Sequence, residues 1–387
     1  MTQQTDPTSL APHLDSEPGE PMLDAADADR IIPRRAPKVW RPKRVLATPA
    51  ALEWPLGRRT AERAAAAGAE VIELKANRLT DLRGASDRET YARAKSTLAL
   101  VVAPPSKRKL QPIPPSADWR VDLAEGCPAH CQYCYLAGSL SGPPVTRVYA
   151  NLPEILDGLA AYAPHSPAPS TLRRPAEGTT FECSCYTDPL AMEHLTGSVA
   201  DTIAHFGAWD ADVQLRFTTK YDAVDGLLGL DHNGRTRIRF SVNALAVTRR
   251  FEGGTTALPE RLHALRRCAL AGYPVGLTIA PIMAVPDWEQ EYGALLADVA
   301  RAVDGITALD LTVEMITYRF TPGSRDVLLG WYPQTKLEMD AGQRSVKRNK
   351  FGGIKYVFAR ELMTRMRSWF TESVGAHLPT ARILYWT

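Results

Sequence analysis

The middle of this 387-residue chain alternates strand-like and helix-like stretches, and that alternation restricts the possible folds more than any other feature. Runs of β-branched and apolar residues predict strands at 120–123, 179–183, 213–218, 237–242, 275–282 and 309–317. Helical patterns fill the gaps near 151–163, 191–206, 221–229, 258–271 and 288–303. This spacing favours parallel strands joined by crossover helices, with functional residues at the carboxyl ends of the strands.

Three cysteines stand close together in the loop after the first predicted strand, at Cys127, Cys131 and Cys134. A closed structural zinc site uses four protein ligands, and the usual iron–sulfur clusters take four cysteines. Three thiolates at this spacing therefore suggest a cluster with one iron left open for a substrate or cofactor. The alternatives are three unrelated buried thiols or a zinc knuckle. The candidates for a fourth zinc ligand are His130, Cys183 and Cys185.

The net charge of +3 is unevenly distributed along the chain. Residues 1–32 carry seven acids against Arg30, a net charge of −6, and show no sustained periodicity. We expect residues 1–40 to form a disordered acidic leader followed by a basic linker. The basic, proline-rich stretch continues from residue 31 to residue 44, and it is equally consistent with a linker or with an arm that binds nucleic acid. Its basic residues are Arg34, Arg35, Lys38, Arg41, Lys43 and Arg44.

Hydropathy and the N-terminal residues argue against a membrane or secreted protein. No apolar run approaches the roughly 18 residues of a membrane span. The first residues lack the basic start and apolar core of a signal peptide. We therefore expect a cytoplasmic protein without membrane contact, whose six cysteines need not pair because that compartment is reducing. We also expect a monomer.

The cysteine spacing, with a tyrosine just before the last cysteine, resembles the signature of radical S-adenosylmethionine enzymes. Further stretches are similar to successive motifs of the spore photoproduct lyase family, and together they cover about residues 41–370. They lie at 51–57, 125–136, 181–188, 219–220, 236–243, 318–320 and 350–357.

This resemblance implies an α/β fold, a partial (β/α)6 TIM-type barrel of the radical S-adenosylmethionine type, with a small N-terminal α/β unit and a C-terminal helix and hairpin extension. The expected boundaries are 41–115 for the N-terminal unit, 116–320 for the barrel and 321–387 for the extension. Within the N-terminal unit, the sequence predicts helices at 60–67 and 88–95 and strands at 70–75 and 97–102.

The resemblance also implies two cofactors, a [4Fe-4S] cluster held by the three cysteines and S-adenosyl-L-methionine chelated to its open iron. Lys220 and Ser241 would contact the amino-acid end of S-adenosylmethionine, and Thr187 stands where the family usually has a serine. An ammonium group such as that of Lys220 can form a charge-assisted bond with the cofactor carboxylate.

The family repairs 5-thyminyl-5,6-dihydrothymine, a thymine dimer of DNA. In the implied reaction, a 5′-deoxyadenosyl radical removes hydrogen from C6 of the lesion, the methylene bridge breaks, and a thiol quenches the remaining thymine allyl radical. By similarity that thiol is Cys185, and Tyr133 and Tyr135 would relay the radical back toward the cofactor. Cys183 departs from the family, where a small apolar residue is usual. Strand alternation predicts that Cys183 and Cys185 share one face.

We expect two partners. One is DNA that contains a thymine lesion, and the other is a low-potential one-electron donor such as a flavodoxin or ferredoxin. A lesion inside a duplex is expected to flip out before it reaches a buried site. A basic strip that enters a glycine-containing hairpin is the predicted DNA contact; a solvated charged helix is the alternative. Its candidate residues are Lys347, Arg348, Lys350 and Lys355.

Two other functions compete with repair of this dimer. In the first, the chain is a radical enzyme of the same family that acts on another nucleic-acid lesion or substrate. In the second, it is a non-catalytic DNA-binding protein that carries zinc or a cluster. Anaerobic cluster reconstitution with iron analysis separates the non-catalytic zinc protein from both enzymes.

Overall fold

The structure is a computed structural model that describes residue 37 and residues 39–140, 142–164, 174, 177–348 and 352–387. The predicted acidic leader and the first part of the basic linker lie outside these residues. All the described residues belong to one unit, Pro37–Thr387.

The strands are β1 (Arg44–Ala47), β2 (Glu70–Glu73), β3 (Thr97–Val101), β4 (Gln111–Ile113), β5 (Ala117–Val121), β6 (Ala124–Glu125), β7 (His130–Cys131), β8 (Thr146–Tyr149), β9 (Thr179–Cys183), β10 (Val213–Thr219), β11 (Thr236–Val242), β12 (Glu252–Gly253), β13 (Val275–Ile282), β14 (Leu311–Thr317), β15 (Ser345–Arg348), β16 (Ile354–Val357) and β17 (Arg382–Trp386). The helices are α1 (Pro49–Leu52), α2 (Pro55–Ala66), α3 (Asp87–Lys95), α4 (Pro105–Arg108), α5 (Leu152–Asp157), α6 (Glu193–Thr196), α7 (Ser198–Ala208), α8 (Leu245–Phe251), α9 (Leu258–Leu270), α10 (Trp288–Val303), α11 (Pro322–Trp331) and α12 (Arg360–His377).

The main sheet has the strand order β17-β14-β13-β11-β10-β9-β5-β4. Neighbouring strands from β17 to β5 are parallel, and β4 is an antiparallel edge strand. The strands predicted from sequence fall on β5, β9, β10, β11, β13 and β14, so the predicted partial barrel is confirmed. The edge strands β4 and β17 were not predicted.

Alternating side chains on these strands separate an apolar outer layer from a charged interior. Phe181 on β9 packs against Phe206 of α7 and against Trp209, with ring centroids 5.6 and 6.0 Å apart. Glu182, the next residue along β9, points to the opposite side and pairs with the buried Arg239 of β11. The face of each strand that meets the helices is therefore apolar, and the other face lines the barrel interior.

The interior charges show that the sheet is curled. Glu314 on β14 forms ion pairs with Arg216 on β10 and with Arg239 on β11, and the three side chains are almost completely buried. These partners lie on strands separated from β14 by one or two others. Ser116, just before β5, hydrogen-bonds to Glu182 and Arg239 across the same interior. Carboxylates and guanidinium groups thus fill the space that apolar side chains occupy in many barrels.

Two helix predictions in the barrel need correction. The predicted helix at 221–229 is wrong, because the chain forms successive turns there. The Val224 amide donates to the carbonyl two residues back, and the Leu227 amide donates to the carbonyl three residues back. Gly226 and Gly229 explain the difference, since glycine weakens a helix interior. The predicted helix at 191–206 is divided into α6 and α7 at Gly197, whose φ of +68° ends the first segment.

The N-terminal unit contains the sheet β2-β1-β3-β8-β6. Helix α2 begins five residues before the predicted helix at 60–67 and ends one residue before its end, and α3, β2 and β3 match the other predictions within one or two residues. Strands β6 and β8 come from beyond residue 115, so this sheet draws on the segment assigned to the barrel. The predicted domain boundaries stay predictions.

The C-terminal segment contributes a hairpin and a barrel strand. β15 pairs antiparallel with β16, so these residues do not form the charged helix that was the alternative prediction. After α12 the chain returns to the main sheet as β17, which lies parallel to β14. No helix in the described part of the chain combines the length and apolar character needed to span a membrane.

Candidate active site

The three-cysteine loop is fixed by backbone contacts at the carboxyl ends of the barrel strands. β7 pairs antiparallel with β12, and the Gln132 amide donates to the Phe251 carbonyl at 2.9 Å. Gly126 precedes the first cysteine with a φ of +77°, and a Cβ there would lie 2.2 Å from the Val145 carbonyl oxygen. Only glycine satisfies both conditions at Gly126, so the loop starts from a sharply defined point.

Cys127, Cys131 and Cys134 sit in an environment that suits a metal cluster. Burial raises the pKa of the Cys127 thiol to about 11, with Lys95 acting in the opposite direction. Burial also raises the pKa of the Cys131 thiol, which lies near Lys220. The Cys127 and Cys131 thiolates would therefore each have an ammonium group close by when they bind iron. Metal binding to such thiols releases their protons.

The zinc-knuckle alternative finds little support in this geometry. Nδ1 of His130 is 2.9 Å from the Tyr91 hydroxyl, and Cys183 is 2% exposed within the apolar core. Among the described residues, no three His, Cys, Asp or Glu side chains are close enough to share a single metal ion. A [4Fe-4S] cluster does not require such convergence, because each cysteine binds a different iron.

Lys220 and Ser241, the two residues predicted to contact the cofactor, are in contact with each other at the carboxyl ends of β10 and β11. Nζ of Lys220 donates to Oγ of Ser241 at 2.7 Å and lies 5.8 Å from the centre of the Tyr133 ring. The backbone amide of Lys220 donates to Asp188 at 2.6 Å. Burial raises the pKa of Asp188 to about 6, against the effect of the hydrogen bonds from Lys220 and Thr219.

Thr187 is placed differently from the other two predicted cofactor residues. Its hydroxyl lies 4.0 Å from Sδ of Met192. Within the described residues, its side chain makes no hydrogen bond to Lys220 or Ser241. A role for Thr187 in cofactor binding stays a prediction.

Cys185 and Cys183 do not share a face, contrary to the strand-alternation argument. Cys183 ends β9 on the same side as Phe181, the side that meets the outer helices. Ser184 then adopts a φ of +58°, so the regular alternation stops. Cys185 follows in the barrel mouth, where burial, Glu182 and Asp122 raise the pKa of its thiol well above the usual value.

The two candidate relay tyrosines contact different parts of the mouth. The Tyr135 hydroxyl donates to the backbone carbonyl of Cys185. Tyr135 itself is 61% exposed. The Tyr133 hydroxyl donates to Glu252, which pairs with the buried Arg261. Burial and the Glu252 carboxylate raise the pKa of Tyr133 well above its usual value.

Unsatisfied polar atoms near the mouth provide a test of whether a cofactor fits. Oδ1 of Asp122 and Oγ1 of Thr278 are buried, and neither has a hydrogen-bond partner within the described residues. Thr278 is paired in register with Ser241, so both hydroxyls lie on the same side of adjacent strands. Buried polar groups usually have partners. A polar ligand in the mouth would supply them.

Sequence reasoning overlooked several residues that organise this site. Asp188 stood inside a recognised motif but received no role, although an acid before Pro189 is a common turn signal. Arg120 pairs with Asp122 at 3.0 Å and hydrogen-bonds to the Tyr186 hydroxyl at 3.0 Å. Glu252 gave no sequence signal, because its importance arises only from the pairing of β12 with the cysteine loop.

The basic hairpin contains three of the four predicted DNA contacts. Lys347 and Lys355 are paired directly across β15 and β16, and Arg348 is opposite Ile354. Partial burial, Arg319 and Lys347 lower the pKa of Lys355. The fourth candidate, Lys350, lies outside the described residues. Like charges in directly opposed positions destabilise a hairpin unless an anion compensates them.

A parallel partial barrel that carries three cysteines and a lysine–serine pair at the carboxyl ends of its strands has the architecture of radical S-adenosylmethionine enzymes. Comparison with known proteins makes the assignment more specific. The family model described as "Spore photoproduct lyase" matches residues 40–387. The chain belongs to the spore photoproduct lyase family.

Individual relatives agree with this assignment over nearly the whole chain. The chain is 39% identical to spore photoproduct lyase of Geobacillus sp. (strain Y412MC61), over 90% of this chain and 100% of the relative. It is 36% identical to that of Bacillus subtilis (strain 168), over 89% and 98%. A solved spore photoproduct lyase variant with bound AdoMet and dinucleoside spore photoproduct has a TM-score of 0.83, at 36% identity over 90% of this chain and 100% of that chain.

Proposed function

We propose that this chain is a DNA-repair lyase that splits spore photoproduct, 5-thyminyl-5,6-dihydrothymine, back into two thymines. Family membership gives the reaction class, and relatives solved with dinucleoside spore photoproduct support the substrate. The single observation that carries the proposal is the contact between the Tyr135 hydroxyl and the Cys185 carbonyl in the barrel mouth. It brings a phenol to the backbone of the residue that carries the thiol, and a thiol and a phenol are the two groups that this repair needs after the radical is generated.

Cys127, Cys131 and Cys134 would hold a [4Fe-4S] cluster, and Lys220 and Ser241 would bind the amino-acid end of S-adenosylmethionine. When both are bound, the cluster and S-adenosylmethionine would supply a 5′-deoxyadenosyl radical, which removes a hydrogen atom from C6 of the lesion. The Lys220 ammonium would pair with the carboxylate of the cofactor. Asp188 positions Lys220 through the backbone amide at 2.6 Å.

Cys185 would quench the thymine allyl radical that remains after the methylene bridge breaks. The S–H bond breaks homolytically, the hydrogen atom goes to the thymine methylene carbon, and the sulfur keeps the unpaired electron. Burial and Glu182 hold the pKa of Cys185 high, so that the thiol retains the hydrogen it donates. Tyr135 would then restore the thiol by giving its phenolic hydrogen, and Tyr133 lies on the Lys220 side of the mouth.

The hairpin would hold the DNA that carries the lesion. Lys347 and Lys355 present like charges at opposed positions, and a phosphate group between them would relieve that repulsion. The lesion itself would flip into the mouth, because the thiol of Cys185 lies at the end of a barrel strand. A low-potential one-electron carrier would reduce the cluster. We expect the protein to act as a cytoplasmic monomer.

Product analysis of two cysteine variants on a synthetic dinucleotide spore photoproduct tests the proposal. Cys185→Ala should still open the lesion, because bond scission precedes hydrogen donation, but should give adducts of the trapped allyl radical in place of two thymines. Cys183→Ala is the matched control and should yield thymine like the unmutated protein, since Cys183 faces the outer helices. Mass spectrometry of the products distinguishes these outcomes.

Two results would count against the proposal. Clean thymine from Cys185→Ala would remove Cys185 as the hydrogen donor. Absence of turnover by the unmutated protein, with S-adenosylmethionine cleavage intact, would favour another lesion as the substrate.

A further inference from the structure

A cleft on the outer side of the cysteine loop has no role in the chemistry proposed above. It encloses about 390 Å³ between the start of the described chain, helix α3 and the end of α11. Its lining combines aromatic residues with exposed cations. These residues are Trp40, Tyr91 and Trp331, and Arg41, Lys43 and Arg88.

Among the described residues, the exposed cations of this cleft have no acidic partners, unlike other basic residues nearby. Arg44 pairs with Asp81 at 2.7 Å, and Arg93 pairs with the same carboxylate. Within the described part of the chain, none of the three residues Arg41, Lys43 and Arg88 forms an ion pair with a carboxylate. No described carboxylate therefore balances the positive charge of the cleft, and such a charge attracts an anionic partner.

The cysteine loop contributes one residue, His130, to the wall of the cleft. His130 lines the cleft and hydrogen-bonds to Tyr91, whereas the next residue, the buried Cys131, lies near Lys220. Neighbouring residues of an extended segment point to opposite sides, so one peptide unit separates the cleft from a cluster ligand. Lys95, also in the wall, donates to the backbone carbonyls of Cys127 and Ala129.

We propose that this cleft is the docking surface for an acidic one-electron carrier protein, a proposal that rests on the function proposed above. The carrier would lose one electron and the cluster would gain one, with no proton or group transferred. The carrier would approach from outside the barrel, because the mouth on the other side of the loop is the place for cofactor and lesion. Electron transfer weakens steeply with distance, and the cleft offers access within one residue of Cys131.

The shape of the surface favours a small protein contact over DNA. The cations surround a concave cavity with aromatic walls, whereas a duplex is convex and usually meets a row of basic residues along its backbone. Electron-transfer complexes use small interfaces and depend on charge complementarity for rapid association. From the sequence, Arg41 and Lys43 were equally consistent with a linker or with a nucleic-acid arm. In this proposal they bind the carrier protein.

The test is a binding titration of the reconstituted full-length protein with an acidic bacterial flavodoxin, under anaerobic conditions and at several salt concentrations. The cleft variant carries Arg41→Glu and Lys43→Glu, both at exposed positions. The matched control carries Arg360→Glu and Arg367→Glu, two exposed arginines of α12. We expect the cleft variant to bind flavodoxin at least tenfold more weakly and with little salt dependence, and the control to bind like the unmutated protein.

Three outcomes would overturn the docking surface. They are equal weakening in both variants, unchanged flavodoxin binding in the cleft variant, and absence of flavodoxin or ferredoxin binding to the unmutated protein. A cleft variant that loses affinity for duplex DNA but not for flavodoxin would assign these residues to DNA instead. The proposed function is tested separately by reducing the unmutated protein with dithionite, which needs no carrier.

Discussion

Lys220 is held at the barrel mouth by contacts at both ends of the residue. Its backbone amide donates to Asp188, and its ammonium group donates to Ser241. The side chain therefore approaches a ligand in a fixed direction, which reduces the conformational entropy lost on binding.

Replacement of Lys220 should show whether its ammonium group binds the cofactor carboxylate. We expect Lys220→Met, which keeps most of the stem, to weaken S-adenosylmethionine binding by roughly 1.5–3 kcal/mol, as for loss of a charged hydrogen bond. Ser241→Ala should cost less, about 1 kcal/mol, because its hydroxyl is neutral. Equilibrium dialysis with the reconstituted protein measures both.

Thr187→Val serves as the comparison for these two variants. Its hydroxyl lies 4.0 Å from Sδ of Met192 and makes no hydrogen bond to Lys220 within the described residues, and it carries no charge, so the loss of cofactor affinity should be smaller than for Lys220→Met. If the Lys220 variant behaves like the Thr187 variant, Lys220 does not bind the cofactor.

The cysteines at the end of β9 show what a sequence can and cannot reveal about single residues. The spacing of Cys127, Cys131 and Cys134 indicated a shared centre without any structure, because the three lie within one short loop. The separation of Cys183 from Cys185 was not predictable. The separation depends on Ser184, which adopts a φ of +58°. This conformation is uncommon for residues other than glycine, so a serine in the sequence does not predict it.

At the scale of elements, the hairpin of β15 and β16 is attached to the barrel by aromatic and cationic contacts. Phe320 bridges to Tyr356, with ring centroids 5.1 Å apart. The Arg344 guanidinium lies 4.0 Å from the centre of the Phe358 ring and pairs with Glu338. Arg344 therefore supports the hairpin, whereas the side chains of Lys347 and Lys355 remain available for DNA.

Removal of the two opposed lysines should weaken DNA binding in a salt-dependent way. We expect Lys347→Ala with Lys355→Ala to lower affinity for duplex DNA and to reduce the slope of log K against log salt by about 0.9 for each lost phosphate contact. Fluorescence anisotropy at several salt concentrations measures both quantities. Lys75→Ala with Arg78→Ala, an exposed pair on the N-terminal unit, is the control. Equal losses in both variants would place the DNA elsewhere.

Element prediction succeeded where periodicity was long and failed where glycine interrupted it. Helix α10 matches its predicted span, and strands β9 and β13 match theirs. The predicted helix at 221–229 fails, since Gly226 and Gly229 fall inside its apolar pattern. Strand β17 was missed because nothing local shows that residues beyond α12 return to the sheet.

At the scale of the whole molecule, the buried ion pairs of the barrel interior connect distant strands. Glu314 pairs with Arg216 and Arg239 and accepts a hydrogen bond from the Tyr385 hydroxyl of β17 at 3.0 Å. The alternation of Arg with Ile and Phe along β11 is visible in the sequence. The partners across the interior are not, because they depend on how far the sheet curls.

Breaking this network should destabilise the entire fold. Glu314→Gln removes a buried carboxylate charge that pairs with both Arg216 and Arg239, although Arg239 keeps its pair with Glu182. Loss of one partner from a buried ion pair typically costs about 3–5 kcal/mol of unfolding free energy. Tyr385→Phe removes one hydrogen bond and should cost about 1 kcal/mol. Arg301→Ala, which breaks an exposed ion pair with Asp298, should cost about 0–1 kcal/mol. Urea unfolding gives the three values, and a loss below 1 kcal/mol for Glu314→Gln would contradict the expectation.

The same carboxylate should make stability depend on pH in the acid range. Burial alone would raise the pKa of Glu314, but Arg239 and Arg216 hold it below its usual value of about 4.5. The unfolded chain therefore takes up this proton first, and stability falls as the pH drops below that value. Melting temperatures measured from pH 7 downward should fall less steeply for Glu314→Gln than for the unmutated protein. Parallel curves would show that Glu314 does not titrate differently in the two states.

Strand β17 also has a consequence for the order in which the chain is made. Its partner β14 ends about 65 residues earlier, yet one side of β14 stays unpaired until residues beyond 381 leave the ribosome. The cysteine loop and β12, which anchors it, are complete by residue 253, long before that moment. All residues of the cysteine loop and of β12 are thus available to pair while the nascent chain still exposes an open strand edge, a surface that invites pairing with other chains.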